Sequence, residues 1–431
     1  MSVATTADTL LERRTRVFGA GAPLFYDAPL TLVRGEGAHV FDASGRRYLD
    51  LYNNVPVVGH ANPHVAEAVG RAQATLNTHS RYLHEGVIEF AERFVGLHHD
   101  GIESIVFTCS GTEANEVALR MARFATGRRG IVCSNATYHG NSELVGALSR
   151  VGRQASPPED IRAFPFPDPY RPLRPALNDE ALLEACLEEV REAIRALAAS
   201  PGGFAALIVC PLFANEGLPR PLPGFLARAA ALARAAGGLV IADEVQAGYG
   251  RSGRWWGYEA SGFIPDIVVT GKPMGNGVPL AAAAASRRLV EAFRGKTRYF
   301  NTFASSPLQA AAGMAVLDVI EREGLIAHAA AVGAELEAAL AERTAGLPRV
   351  GEVRARGLFV GLDMVEDPES RRPAPKLAAA VCNRLKDKGF LTAPAGAAGN
   401  VVKVRPPLVI ARADALTFVD AFEAVMRELD G

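Results

Sequence analysis

Hydrophobic and polar positions change their period along this chain. Ala38-His39-Val40-Phe41-Asp42 and Arg47-Tyr48-Leu49-Asp50 alternate around Ser44-Gly45, the pattern of a β-hairpin. From about residue 60, short apolar runs recur at Ile105–Thr108, Ile131–Cys133, Ala206–Cys210, Leu239–Ala242 and Ile267–Thr270. Turn residues or polar groups bound each run, and amphipathic Ala/Leu/Arg segments of helical period lie between several of them. Such alternation predicts a mostly parallel α/β sheet with helices on both faces. Pro165 to Pro175 reads as a surface excursion. After about residue 315 come Ala-rich helices, the segment Gly351–Asp363, a helix near Lys376–Lys388 and a last helix ending in Glu428, which predict a smaller α+β domain. The expected division is a large domain over residues 60–315 and a small one built from residues 1–59 and 316–431. No internal repeat or low-complexity tail breaks this pattern.

The 431 residues are 49% hydrophobic and 22% charged, enough for a large core that needs no disulfides. With 46 Lys+Arg against 47 Asp+Glu, no basic excess points to nucleic acid or anionic lipid. Cys109, Cys133, Cys186, Cys210 and Cys382 are odd in number and form no CxxC pair, so neither a disulfide framework nor a metal site is expected. Cys133 and Cys210, at the ends of apolar runs, are expected to act as small core residues. Unpaired thiols suit a reducing, cytoplasmic compartment. Met1 to Phe18 carries three arginines and no apolar h-region, and the Ala-rich run Leu280–Ser286 is too short to span a bilayer, so a soluble protein is expected.

Four segments carry candidate chemistry. Leu239-Val240-Ile241-Ala242-Asp243 is an apolar strand ending in an acid, placed either to meet a ligand at a carboxyl end or to cap the next helix. In Thr270-Gly271-Lys272-Pro273 a lysine follows a strand through a tight turn. Buried in a concave site, its amine forms a Schiff base; exposed, it is an ordinary surface lysine. Ser110-Gly111-Thr112-Glu113 leads from strand to helix and reads as a phosphate cradle, as a capping box, or as both. Tyr138-His139-Gly140, after another strand, is placed to stack on a planar ring or to pack in the core. Together, an acid, a Schiff-base lysine, a phosphate cup and a stacking aromatic are the parts that pyridoxal phosphate needs.

With these motifs the chain resembles the class III aminotransferases, of pyridoxal-phosphate fold type I. The resemblance runs through Gly59-His60-Ala61-Asn62-Pro63, Ser110 to Asn115, Tyr138-His139-Gly140, Asp243, Gly248-Tyr249-Gly250-Arg251-Ser252-Gly253, Gly271-Lys272 and Tyr299-Phe300-Asn301-Thr302-Phe303. It implies an α/β large domain with a mostly parallel mixed sheet, a smaller α+β domain, and pyridoxal 5'-phosphate as cofactor. Lys272 would carry the cofactor and Asp243 would hold its pyridinium, with His139 in the same pocket. Tyr138 and Val245 would sandwich the ring, and Gln246 would sit near its phenolic oxygen. Ser110, Gly111 and Thr112 would hold the phosphate, with Thr302 donated by the partner chain of a homodimer or homotetramer.

The reaction implied is either transamination or, in one subgroup, elimination of phosphate from an O-phosphorylated amine. Leu24-Phe25-Tyr26, the stretch Leu76 to His84, Gly271 to Gly277, Gly357 to Gly361 and Asn400 to Pro407 resemble the ethanolamine-phosphate and phosphohydroxylysine phospho-lyases. A substrate phosphate needs cationic and hydroxyl donors, for which Tyr26, Lys403 and Arg405 are the candidates. Where many class III aminotransferases have Glu, this chain has Cys210, and Asn215 falls at the position of their gating glutamate, with Glu216 one residue on. Those departures favour a one-substrate lyase. Val57, where similar phospho-lyase sequences often carry His, departs the other way, and the subgroup borders on alanine–glyoxylate aminotransferases. The expected substrate is a small primary amine, phosphoethanolamine before an amino acid or ω-amine, with a racemase as the remaining alternative on the same lysine.

Overall fold

The computed structural model describes residues 4–150, 158–174 and 178–430. Met1 to Val3 of the N-terminal stretch and Pro175 of the Pro-rich excursion lie outside the described residues. The hairpin pattern near the N-terminus forms β1 (Leu32–Glu36), β2 (His39–Asp42) and β3 (Arg47–Asp50), all antiparallel.

The central sheet has seven strands: β4 (Ser104–Thr108), β5 (Gly130–Ser134), β6 (Ile161–Phe164), β7 (Phe204–Val209), β8 (Leu239–Asp243), β9 (Ile267–Thr270) and β10 (Ala281–Ala285). Their order is β4-β10-β9-β8-β7-β5-β6, parallel from β6 through β9. β10 runs antiparallel to both β9 and β4. Alternation along each strand explains the two-sided burial. Phe107, Val132, Leu207, Val240 and Val268 enter one core, while Val106, Ile131, Ile208, Ile241 and Val269 enter the other.

The strand Ala281–Ala285 was not expected from its composition, since alanine favours helices and is depleted in sheets. All five side chains are fully buried between β4 and β9. Pairing and burial on both sides override the local preference, and the small side chains let the helix Gly111–Thr126 lie close against the sheet.

A third sheet is formed by β11 (Val350–Ala355), β12 (Val360–Met364), β14 (Ala393–Ala395) and β15 (Val401–Val404), in the order β11-β12-β15-β14. β13 (Phe390–Leu391) leaves it to pair in parallel with β3, tying the C-terminal part of the chain to the N-terminal hairpin. β15 is the central strand that matters for the site: Lys403 stands opposite Gly361 on β12 and Ala393 on β14, and Arg405 follows directly. Among the described residues, no single helix is long and apolar enough to cross a membrane.

Candidate active site

The carboxyl ends of β8 and β9 open into one cavity. Gly111, Thr112, Tyr138, His139, Asp243, Val245, Gln246 and Lys272 line it, all of them residues singled out by sequence. Cys210 and Asn215 complete its wall. Cys210 is buried, as a core residue would be, but it borders this cavity, and burial pushes its thiol pKa strongly up. It is therefore a neutral wall and not a nucleophile.

Asp243 is held from three directions. Its Oδ1 accepts the Val245 amide at 3.0 Å. Its Oδ2 takes His139 Nδ1 at 2.6 Å and Asn115 Nδ2 at 3.0 Å. His139 Nε2 meets the Thr137 hydroxyl at 2.7 Å. With Nδ1 protonated toward the acid, Nε2 accepts from Thr137, so a neutral imidazole satisfies both contacts. Asn115, on the helix Gly111–Thr126, also donates to the His139 carbonyl at 2.8 Å. The carboxylate is thus fixed in place with a lone pair of Oδ1 still free. The sequence reading assigned Asn115 and Thr137 no role. The available signal was a polar Asn among Ala114, Val117 and Ala118 on the buried face of that helix.

Lys272 begins a tight 3₁₀ turn, Lys272–Gly275, two residues beyond β9. Its side chain lines the cavity and is exposed there, with protein packed around the amine. The ammonium is therefore reachable yet poorly solvated, and its pKa is lowered, first by burial; Asp243 opposes this and Arg405 adds to it. A larger neutral-amine fraction is what attack on an aldehyde requires.

The helix Gly111–Thr126 starts with a complete capping box. Ser110 Oγ accepts the Glu113 amide, and Glu113 accepts the Ser110 amide at 3.1 Å and the Cys109 amide at 2.7 Å. As the first two helical residues, Gly111 and Thr112 have amides without intrahelical acceptors, aimed out of the N-terminus. Both readings of the motif therefore hold together. A Cβ on Gly111 would sit 3.0 Å from Val245 Cγ2, and one on Gly140, at φ +145°, would sit 2.6 Å from Thr112 Oγ1. These glycines keep the floor of the cradle open. An amine for an aldehyde, a carboxylate for a pyridinium and an amide cradle for a phosphate fit pyridoxal phosphate. Thr302 is exposed and lies outside this lining, on the loop that also carries Phe300, under the Arg81 guanidinium at 4.0 Å.

Behind Gln246, which lines the cavity, lie two cations. Lys403 and Arg405 are both about 5% exposed. Lys403 Nζ has no hydrogen-bond acceptor and no carboxylate in salt-bridge range among the described residues; burial, then Arg405, drives its pKa well below the usual lysine value. Arg405 donates from Nε to the Tyr52 carbonyl at 3.2 Å and from Nη1 to Gln246 Oε1, with its plane 4.7 Å from the Tyr52 ring. Glu216 is buried nearby, with its Oε1 on the Ser134 hydroxyl and its pKa raised by burial. Asn215 Oδ1 accepts Gln246 Nε2 at 3.0 Å. Tyr26, expected at the substrate, instead lines a separate cavity with Asp50 and Tyr52, and its hydroxyl donates to the Thr392 carbonyl at 2.8 Å.

Comparison with known proteins extends these observations over the whole chain. Residues 25–426 match the family model described as aminotransferase class-III. An alanine–glyoxylate aminotransferase 2-like protein of Drosophila melanogaster is 35% identical, across 97% of this chain and 87% of its own. The ethanolamine-phosphate phospho-lyase homolog 1 of Caenorhabditis elegans is 32% identical, across 97% and 93%. Among solved structures, a phospholyase from Arthrobacter in complex with phosphoethanolamine superposes with a TM-score of 0.93 at 41% identity, covering 97% of this chain and 99% of that one. A Bacillus anthracis aminotransferase superposes with a TM-score of 0.89 at 28% identity, covering 99% and 100%.

Proposed function

Because the chain belongs to the class-III aminotransferases, pyridoxal-phosphate-dependent enzymes, we propose that within this family it is a phospho-lyase acting on a small O-phosphorylated primary amine such as phosphoethanolamine. The observation that carries this reading is the pair Lys403 and Arg405. Two buried cations lie beside the cavity of Lys272: Arg405 bonds Gln246 on its lining, Lys403 feels the Lys272 charge, and neither has a carboxylate in salt-bridge range among the described residues. Burying charge is costly unless a partner compensates it, and a phosphate dianion is the partner that two adjacent cations fit. The resemblance to the phosphoethanolamine-bound phospholyase supports the same choice.

The residues divide the work. Lys272 would hold the cofactor through its ε-amine, and the same amine would serve as the base for the Cα proton of the substrate. Asp243, steadied by His139, Asn115 and the Val245 amide, keeps a proton on the pyridine nitrogen. Pyridoxal phosphate, when bound, supplies the electron sink for the pair left at Cα. Ser110 and the Gly111 and Thr112 amides would hold the cofactor phosphate, with Thr302 of a second copy in a homodimer, while Tyr138 and Val245 would bracket the ring. Lys403 and Arg405 hold the substrate phosphate as the Cβ–O bond breaks and phosphate leaves with the bonding pair. The net change is phosphoethanolamine plus water to acetaldehyde, ammonia and phosphate. Five free thiols would suit a reducing compartment such as the cytoplasm.

Amino transfer is the second reading, favoured by the aminotransferase relatives. The discriminating experiment is an assay of purified holoenzyme with phosphoethanolamine for released phosphate and acetaldehyde. Release of both, abolished in Lys272→Ala, is the expected result. Absence of phosphate, with alanine or an ω-amino acid converting the cofactor to its amine form, overturns the lyase in favour of a transaminase. Neither response, with α-proton exchange into an amino acid, leaves the racemase.

A further inference from the structure

Arg405, Gln246, Asn215 and the Tyr138 backbone form a chain of hydrogen bonds whose polarity is fixed at both ends. A guanidinium only donates and a carbonyl only accepts. Arg405 Nη1 donates to Gln246 Oε1, Gln246 Nε2 donates to Asn215 Oδ1 at 3.0 Å, and Asn215 Nδ2 donates to the Tyr138 carbonyl at 3.0 Å. Turning either amide over would set donor against donor on one side and acceptor against acceptor on the other. One arrangement therefore satisfies every member, and it reaches from the aromatic wall of the cofactor cavity to the substrate side. On its far side Arg405 is braced by the Tyr52 carbonyl and ring. Among the described residues every group bonded to the guanidinium is neutral, so its orientation is fixed while its charge is offset at longer range, by Asp50 among others.

We infer that Asn215 is a positioning residue that, through Gln246, locks Arg405 toward the substrate's phosphate and so determines specificity for a strongly anionic tail. The inference rests on the phospho-lyase reading above. A carboxylate at 215 would still accept from Gln246 but would face the Tyr138 carbonyl with a second acceptor. It would also bring a negative charge two hydrogen bonds from Arg405, where it competes with the substrate for the same cation. A neutral amide holds the arginine without that competition.

The test is steady-state kinetics of holoenzyme Asn215→Asp and Asn215→Ala with phosphoethanolamine, beside calorimetric titration with inorganic phosphate. KM should rise about tenfold in Asn215→Asp and less in Asn215→Ala, with the loss falling on KM and not on kcat. Inorganic phosphate should bind more weakly in the same order. Asn215→Ala, which adds no charge, keeps the test open if the aspartate variant does not fold. If the wild type releases phosphate but both variants keep its KM, or lose kcat alone, the inference fails and the lyase stands. If the wild type releases none, yet phosphate binding weakens in Asn215→Asp, the positioning role stands and the lyase fails. Phosphate binding that is absent or unchanged in that case overturns both.

Discussion

At the scale of single residues, Lys403 shows how a site departs from what stability alone would select. A lysine in a central strand, without a partner for its ammonium, weakens the free protein. Burial holds its folded-state pKa well below that of the unfolded chain. Between the two values the unfolded chain binds the additional proton, so this group makes stability rise with pH across that window. Below the window the full cost of the buried charge is carried. Replacing it with methionine, of similar length and apolar, should therefore stabilise the protein without substrate by on the order of 1 kcal/mol or more at neutral pH. The gain should shrink toward zero as pH approaches the ordinary lysine value of about 10.4. Thermal melts of wild type and Lys403→Met across pH measure this directly. A variant that melts lower than wild type at neutral pH contradicts the assignment of Lys403 as an uncompensated cation. On the proposed reading the same variant should also lose affinity for phosphoethanolamine, because the group that costs stability would be the one that meets the substrate.

At the scale of elements, the site depends on how closely a loop can approach a helix N-terminus. The loop Thr137 to Gly140 crosses the start of the helix Gly111–Thr126 so tightly that a Cβ on Gly140 would reach 2.9 Å from Thr112 Cα as well as its hydroxyl. Gly140→Ala should push the two apart and distort both the amide cradle and the His139–Asp243 contact. Cofactor affinity, measured by equilibrium dialysis, should fall tenfold or more while far-ultraviolet dichroism stays unchanged; unaltered affinity would mean that the loop moves freely. The strands that place these residues were largely legible, because Val and Ile runs such as Leu239–Ala242 and Ile267–Thr270 announce both themselves and the polar residue at their end. β10 was not, because five alanines carry no strand signal without the neighbours that bury them. β6 likewise lacks a sustained apolar run. Asp243 and Lys272 could be read as strand-end residues. The Arg405–Gln246–Asn215 chain could not, since no local pattern links positions 159 and 31 residues apart.

At the scale of the molecule, Lys403 and the strands that carry Asp243 and Lys272 belong to different sheets, and the joints between those sheets must hold their distance. Arg251, fully buried after β8, donates to the carbonyls of Leu358 and Pro406, the latter directly beside Arg405. A second joint lies at Asp363 on β12, which is 1% exposed. It takes a bidentate contact from Arg171 at 2.9 and 2.6 Å, Arg354 at 2.7 Å and Asn400 at 2.8 Å. Arg171 sits on the Pro-rich excursion that follows β6, so this carboxylate ties the central sheet's outer edge to the sheet that carries Lys403. Both arginines converge on this anion, and without it each keeps only a longer contact, Arg171 with Asp168 at 3.8 Å and Arg354 with Glu352 at 3.4 Å, so removing it leaves partly buried cations poorly compensated, which costs more than the contacts themselves contribute. Asp363→Asn keeps the size and one acceptor but loses the charge. It should lower stability by about 3 kcal/mol in denaturant titration, the low end for breaking a buried pair. It should also raise KM for phosphoethanolamine several-fold, because β12 pairs with β15 along its length and places Gly361 opposite Lys403. Loss of stability with an unchanged KM would show that the joint supports the fold alone. A KM that rises in step would make the spacing between the two sheets part of the substrate site.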